Sequence, residues 1–413
     1  MIPIPKSSPP SVDKLRPISL TNHFAKVAEG FIARWLLEDI GPRLDPAQFG
    51  NRKNFSTNHY LINMLHLLYR NANKSRTVAT VTTSDFSKAF DRINHTLVLN
   101  KLIHFEVRPS IIPWIADFLT SREQCVRYNS ICSTWLTLNA GVPQGTKLGP
   151  ILFLVMINDV RPTGDNLAVF KYVDDLSIVE CRPFSQKSCL QDAIDNLTNW
   201  SMQNNMKLNP SKCFQMNVDF SRNSPVMPIV SIDDHDLCIT AHIKVLGVII
   251  QNDLKWDKNV DSSVKRANTK VHMLRVHRSY GLPHSDLITL YKSFIRPLME
   301  YAAPVWNGAL TQHQVTRLER VQKRALRIIL GAEYLSYTQA LSHFNLDSLA
   351  IRRDQISSSF FKKTLDHTDL FREFFPPQHT RMLRNKPAIP EICCRTKRYF
   401  TSALPTLIRL HNR

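Results

Sequence analysis

The stretch Lys171-Tyr-Val-Asp-Asp-Leu-Ser177 lies where two short apolar runs, Val169–Tyr172 and Leu176–Val179, meet at an acidic pair. Runs of this length and composition predict two strands joined by a tight turn, with Asp174 and Asp175 in it. An Asp-Asp dipeptide also suits a solvated turn, so the pair alone decides nothing. A second acidic place lies upstream, where the β-branched run Thr77–Ser84 predicts a buried strand ending at Asp85. Burying adjacent carboxylates near a third is costly unless a cation neutralises them. Paired Mg²⁺ ions are a common solution in phosphoryl-transfer enzymes, and hard oxygen ligands favour Mg²⁺ over a softer metal. A further cluster, Asp233, Asp234 and Asp236, has no flanking apolar strand pair and reads as solvated.

Working outward, helices are predicted over 24–37, 57–69, 96–105, 110–119, 151–159 and 189–206. Strands are predicted near 124–128 and 134–138. Gly149-Pro150 opens the 151–159 helix, with Pro suited to its first turn. Beyond about residue 255 the pattern is helical, over 257–278, 284–302 and 312–330. It then gives way to a looser tail containing Pro376, Pro377, Pro387 and Pro390. The expected fold class is therefore α+β, with a boundary near residue 255.

Charge shifts at the same place. The 413 residues carry a net charge of +19. Residues 1–254 hold 26 Lys+Arg against 22 Asp+Glu, and residues 255–413 hold 27 against 12. Such an excess implies a polyanionic partner, since neutralised phosphates release condensed counterions. Ribosomal and membrane-surface proteins share the balance, so charge alone does not choose among them. With 43% hydrophobic residues, the chain is unlike a disordered one. Its longest apolar run, Ile151–Ile157, falls short of the roughly 20 residues that span a bilayer. The opening MIPIPKSSPP lacks the apolar core of a secretion signal. None of the eight cysteines forms a CxxC pair, which leaves them as free thiols. Gly141-Val-Pro-Gln-Gly-Thr-Lys147 lacks the spacing and the Gly-Lys-Ser/Thr order of a phosphate-binding P-loop.

The order of segments is more specific than any one of them. Asp85-Phe-Ser-Lys-Ala-Phe-Asp91, Val142-Pro-Gln-Gly145, Tyr172-Val-Asp-Asp175, Leu208-Asn-Pro-Ser-Lys-Cys213 and Val245-Leu-Gly-Val248 resemble the palm motifs of reverse transcriptases, in that family's order. Asp13–Leu20 and Gln48–Thr57 resemble its fingers motifs. Tyr291–Trp306 and Arg317–Arg327 resemble the thumb and following region of non-LTR retrotransposon enzymes. The chain departs from the usual pattern at Val173, where Ala is common, and at Asn51, Asn54 and Phe55 in the fingers motif.

The resemblance implies a right-hand polymerase. Its fingers and palm, an antiparallel sheet backed by helices, would occupy 1–250, a helical thumb 251–335 and a basic C-terminal region 336–413. It implies RNA-directed DNA synthesis from an RNA template, a DNA primer and dNTPs. Two Mg²⁺ ions, with Mn²⁺ as an alternative, would sit on Asp85, Asp174, Asp175 and the Phe86 carbonyl. Phe90 matches the steric gate against ribonucleotides, Gln144 and Gly145 the nucleotide pocket, and Lys212 the general acid for pyrophosphate. Arg52 is the leading triphosphate ligand of the fingers, ahead of Arg16 and Lys14. Arg317, Arg320, Arg324 and Arg327 form one basic helical stripe that suits phosphate contact. The expected setting is an intracellular ribonucleoprotein in nucleus or cytoplasm, not secreted and with no membrane association; protein partners are unknown. No endonuclease or RNase H motif is read, which suggests the 3′ part of an element. A catalytically idle nucleic-acid-binding remnant remains the main rival. A group II intron maturase is disfavoured by the Tyr291–Trp306 segment.

Overall fold

The computed structural model describes residues 1–6, 9, 11, 15–161, 163–221, 223, 226–377 and 387–413. Strands β1 (Ile2–Pro5) and β2 (Leu15–Ile18) pair antiparallel ahead of α1 (His23–Ile40), where the Asn22 side chain accepts the Phe24 N–H. Helix α2 (Thr57–Ala72) starts at Ser56, whose N–H donates to His59 Nδ1 at 3.0 Å. Next come β3 (Thr77–Ser84), α3 (His95–His104) and α4 (Ile112–Leu119). The expected 124–128 and 134–138 strands are shorter and split into nested ribbons. In these, β4 (Arg122–Gln124) pairs with β7 (Leu136–Leu138), and β5 (Arg127–Tyr128) with β6 (Ile131–Cys132). Helix α5 (Leu148–Ile157) is buried almost throughout.

The hairpin read from the Lys171–Ser177 stretch is present as β8 (Leu167–Tyr172) and β9 (Asp175–Pro183). Helix α6 (Leu190–Gln203) leads to β10 (Phe214–Val218), and the chain continues through β11 (Ser231–Ile232), β12 (His235–Asp236) and β13 (Cys238–Ile239). A β11–β12 hairpin of two-residue strands, not itself apolar, flanks Asp233 and Asp234, and Asp233, Asp234 and Asp236 are exposed as expected; both turn residues have positive φ. Strands β14 (His242–Val245) and β15 (Val248–Gln251) complete the strand-bearing half.

The main sheet runs β13-β10-β3-β9-β8, antiparallel except between β10 and β13. Alternation along β9 sorts its side chains between two cores. Leu176 and Ile178 join one cluster with α3 to α6, while Val179 joins another with α2, β14 and β15. β3, paired on both sides, is buried at six of its eight residues. The β-branched run is thus the centre of the sheet.

The second cluster continues into the helices beyond residue 255: α7 (Asp257–Ser279), α8 (His284–Leu290), α9 (Arg296–Glu300), α10 (Ala303–Trp306) and α11 (Gln312–Leu330). The single helix expected over 284–302 is interrupted by a π-turn at Tyr291–Ile295. Pro297 has no N–H for an i−4 bond, and the wide turn accommodates it. The expected loose tail folds into α12 (Tyr337–His343), α13 (Leu349–His367), α14 (Lys397–Phe400) and α15 (Ala403–His411). Of these, α13, α14 and α15 dock on α2, while α12 packs against α11. His59 Nε2 lies 3.0 Å from Thr364 Oγ1, and Asn73 Oδ1 accepts the N–H groups of Arg395 and Thr396 at 3.0 and 3.1 Å. His66 packs against the rings of Phe374 and Tyr399.

Burial lowers His59 to about 4 and His66 to about 3, with Arg70 adding to the effect at His66. Both imidazoles are therefore neutral in the folded chain and would take up protons on unfolding below pH 6.5. Their contribution is complete above pH 6.5 and is lost as pH falls towards 4, by at most about 1.4 kcal/mol per pH unit for each. Thermal melting from pH 7 to 4.5 should show this loss, with a shallower slope in His66→Gln. Identical slopes in the two proteins would refute the assignment to His66.

Candidate active site

The β3–β9 register pairs Ser84 with Leu176, so Asp85 leaves β3 beside the start of β9. Tyr172 pairs with Asp175, leaving Val173 and Asp174 as a two-residue turn. Val173 has φ +57°, whereas Asp174 is not in the positive region. That is the sign pattern of a type II′ turn, whose first position favours glycine. Beyond β3, Ser87 N–H donates to Lys207 O and Asn209 N–H to Asp85 O, around a bridge between Phe86 and Leu208. The Phe86 carbonyl is outside that ladder.

Asp85, Phe86, Phe90, Gln144, Gly145, Asp174 and Lys212 all line one cleft of about 590 Å³, together with Lys6, Arg16, Lys88 and Asp91. Burial raises Asp174, and Asp85 adds to it against the pull of Arg16 and Lys6. Asp175, an exposed residue at the start of β9 that does not line the cleft, is pushed up to about 6 by the partial burial of its carboxyl, then by Asp174 and Asp85. Lys212 Nζ donates to Asp85 Oδ2 at 3.0 Å.

Among the described residues, no three acidic or metal-ligating side chains close on a single point. The convergence expected of the three carboxylates is therefore looser than one tight metal cage. The Lys212 ammonium is paired with Asp85. The donor chemistry still fits hard divalent cations: carboxylates raised first by burial and then by one another, with Phe86 in the same cleft.

Phe90 stacks on Phe153 with ring centroids 5.1 Å apart, and its carbonyl accepts the Val142 N–H. Gln144 is tied at both ends: its carbonyl accepts the Ser19 N–H, and Nε2 donates to Asp91 Oδ1 at 3.0 Å. Gly145 has φ +105°, which favours glycine, and a Cβ there would stand a tight 3.2 Å from Ser19 O, just past β2.

Arg52 is not brought into this cleft. Its guanidinium donates to Gln48 O at 3.1 Å, sits over Phe55 and lines a separate pocket with Arg34 and Lys53. The turn through Asn51, at φ +51°, folds the side chain back on its own loop. Arg16 does line the cleft, while Lys14 lies outside the described residues. On α11, Arg320, Arg324 and Arg327 are exposed, with Arg327 over the Tyr334 ring; Arg317 pairs with Asp261 at 2.5 Å. Sequence reading passed over Asp91 and Gln48. The one signal for Asp91 was its place six residues after Asp85, and Gln48 gave none beyond membership of its motif.

The family model described as reverse transcriptase (RNA-dependent DNA polymerase) matches residues 4–250. The chain belongs to the reverse transcriptase family. Its α+β architecture, an antiparallel sheet backed by helices and followed by a helical half, is that of a right-hand polymerase. This reverse-transcriptase chain is 28% identical, over 82% of its length, to the RNA-directed DNA polymerase from mobile element jockey of Drosophila funebris, covering 38% of that protein. The Drosophila melanogaster jockey polymerase is 25% identical over 97% of the chain and 44% of its own length. The probable polymerase from the Drosophila melanogaster transposon X-element is 27% identical over 77% and 36%. The chain thus spans less than half the length of these curated relatives. Among solved structures, telomerase from Candida tropicalis in complex with a TWJ fragment of telomeric RNA aligns over 85% of this chain and 56% of that one. The identity is 12% and the TM-score 0.45. No helix among the described residues is long and apolar enough to cross a membrane.

Proposed function

We propose that the chain is an RNA-directed DNA polymerase of a non-LTR retrotransposon, extending a primer 3′-hydroxyl with dNTPs. The observation that carries the reading is the meeting of Asp85, from the end of β3, with Asp174, from the β8–β9 turn, in a cleft that also holds Phe90, Gln144, Gly145 and Lys212. Residues 1–250 would form fingers and palm, 251–335 the thumb, and 336–413 a basic region docked on α2.

Asp85, Asp174, Asp175 and the Phe86 carbonyl would hold two Mg²⁺ ions, with Mn²⁺ as an alternative. Bound there, the ions supply Lewis acidity at the attacking hydroxyl and the leaving pyrophosphate. Lys6, Arg16 and Lys88 bring positive charge to a cleft that must take a triphosphate. Phe90, backed by Phe153, fills the space a ribose 2′-hydroxyl would need. Asp91 orients Gln144 over the incoming nucleotide. Lys212 would leave Asp85 to protonate pyrophosphate as general acid. The exposed arginines of α11 would meet template or primer phosphates. Such an enzyme would work inside the cell as a ribonucleoprotein, in nucleus or cytoplasm.

The test is extension of a DNA primer on an RNA template with Mg²⁺ and dNTPs. Wild type should make DNA, and Asp174→Ala/Asp175→Ala should not. A folded wild type that binds primer-template yet makes no product would overturn the reading in favour of an idle binding protein.

A further inference from the structure

The turn bearing Asp174 is held from outside its own hairpin. Val173 is β-branched and sits at φ +57°, a region such residues rarely occupy. Its N–H donates to Gln48 Oε1 at 3.1 Å. The same oxygen accepts the Gly50 N–H at 2.8 Å, so one carboxamide joins the loop to the turn.

The loop is docked for this. Phe49 N–H donates to Lys171 O at 2.8 Å, and Lys171 N–H donates to Ala47 O at 2.9 Å. The Lys171 side chain, wholly buried, reaches Asp45 Oδ2 at 2.6 Å. At Gly50 a Cβ would stand 2.6 Å from Val173 Cγ2 and 2.7 Å from Val173 N, so only glycine lets the two segments meet. Gln48 is itself 2% exposed, and its Nε2 has no hydrogen-bond partner. An amide buried with its donor end unsatisfied is costly, and only its oxygen is used. No competing role for the side chain is visible in those contacts.

We propose that Gln48 is a positioning residue whose buried carboxamide oxygen holds the Val173 peptide in its left-handed conformation and so fixes where Asp174 and Asp175 point. The role in synthesis rests on the polymerase reading above; the clamp itself does not. A neutral acceptor suits the place, since a carboxylate would add another negative charge beside the acidic cluster.

The experiment compares wild type with Gln48→Met, similar in length but without an acceptor, in two backgrounds. In metal-free protein, hydrogen exchange of the Val173 and Gly50 amides should accelerate about tenfold or more, with the rest of β8 and β9 unchanged. In single-nucleotide incorporation, kcat should fall about tenfold or more, while KM for dNTP and affinity for primer-template stay within about threefold. Glycine adopts positive φ without help, so in a Val173→Gly background the further loss from Gln48→Met should shrink to about threefold or less. Should Gln48→Met fold poorly, Gln48→Asn withdraws the acceptor by one methylene and serves in the same comparisons.

Unchanged exchange at the two amides, exchange accelerated throughout the sheet, or an equal loss of kcat in both backgrounds would each overturn the proposal. A wild type that makes no DNA overturns the polymerase reading and with it the catalytic consequence. In that case the exchange measurement still decides whether Gln48 holds the turn.

Discussion

Asp175→Asn is expected to abolish DNA synthesis and, in the same protein, to raise the melting temperature in metal-free buffer at pH 7.5. The carboxylate is pushed up to about 6 by partial burial, Asp174 and Asp85, so at this pH it is charged against an unfavourable field. Asparagine keeps the shape and removes the repulsion. The residue is exposed, so solvent screens the repulsion and the relief is at most about 1 kcal/mol, a gain of up to roughly 3 °C in a chain this long. Synthesis should fall by at least about 10³-fold, because the lost charge is one that the proposed metals require. Differential scanning fluorimetry in chelator and single-turnover extension give the two numbers. A variant that melts below wild type, or that synthesises within about tenfold of it, would be incompatible with a repulsive cluster kept for catalysis.

Phe90→Ala should admit ribonucleotides. The ring is stacked on Phe153 and its backbone is tied to Val142, so the wild-type side chain has little room to yield. An added hydroxyl against such a wall costs about 1–3 kcal/mol, the range measured for overpacking. That is a discrimination of roughly 5–150-fold between dNTP and rNTP, and it should collapse in the alanine variant. The readout is the ratio of kcat/KM for dCTP and CTP opposite the same template base. A ratio unchanged in Phe90→Ala would move the gate elsewhere in the cleft. Asp91 is the neighbour to watch, since it follows Phe90 directly and holds Gln144.

The parts of this fold that could be read in advance are those with strong local chemistry. The β3 run is rich in β-branched residues, and the β8–β9 hairpin combines short apolar runs with an acidic turn. Both elements are present, with Asp85 after β3 and Asp174 in the turn, but Asp175, expected in the turn, opens β9. Arg52 failed because its direction depends on a positive φ at Asn51, and asparagine permits such a turn without demanding it. The left-handed Val173 carried no sequence signal at all, since its cause is Gln48, 125 residues away. The C-terminal helices were misread for a related reason. The prolines that suggest an open tail all lie beyond α13, which runs for 19 residues because α10, α11 and α15, with α2, offer it an apolar bed.

That bed has a cost in time. His59 and Thr364 are 305 residues apart, so the face of α2 that receives α13 to α15 is made long before its cover. At about 5–20 residues per second, the ribosome leaves that apolar surface bare for roughly 15–60 s. Throughout that interval the nascent chain would present His59, His66 and their neighbours to whatever is nearby. The strand-bearing half would thus depend on chaperones until α13 to α15 emerge, and substitutions that weaken their docking should lower soluble yield before they lower activity.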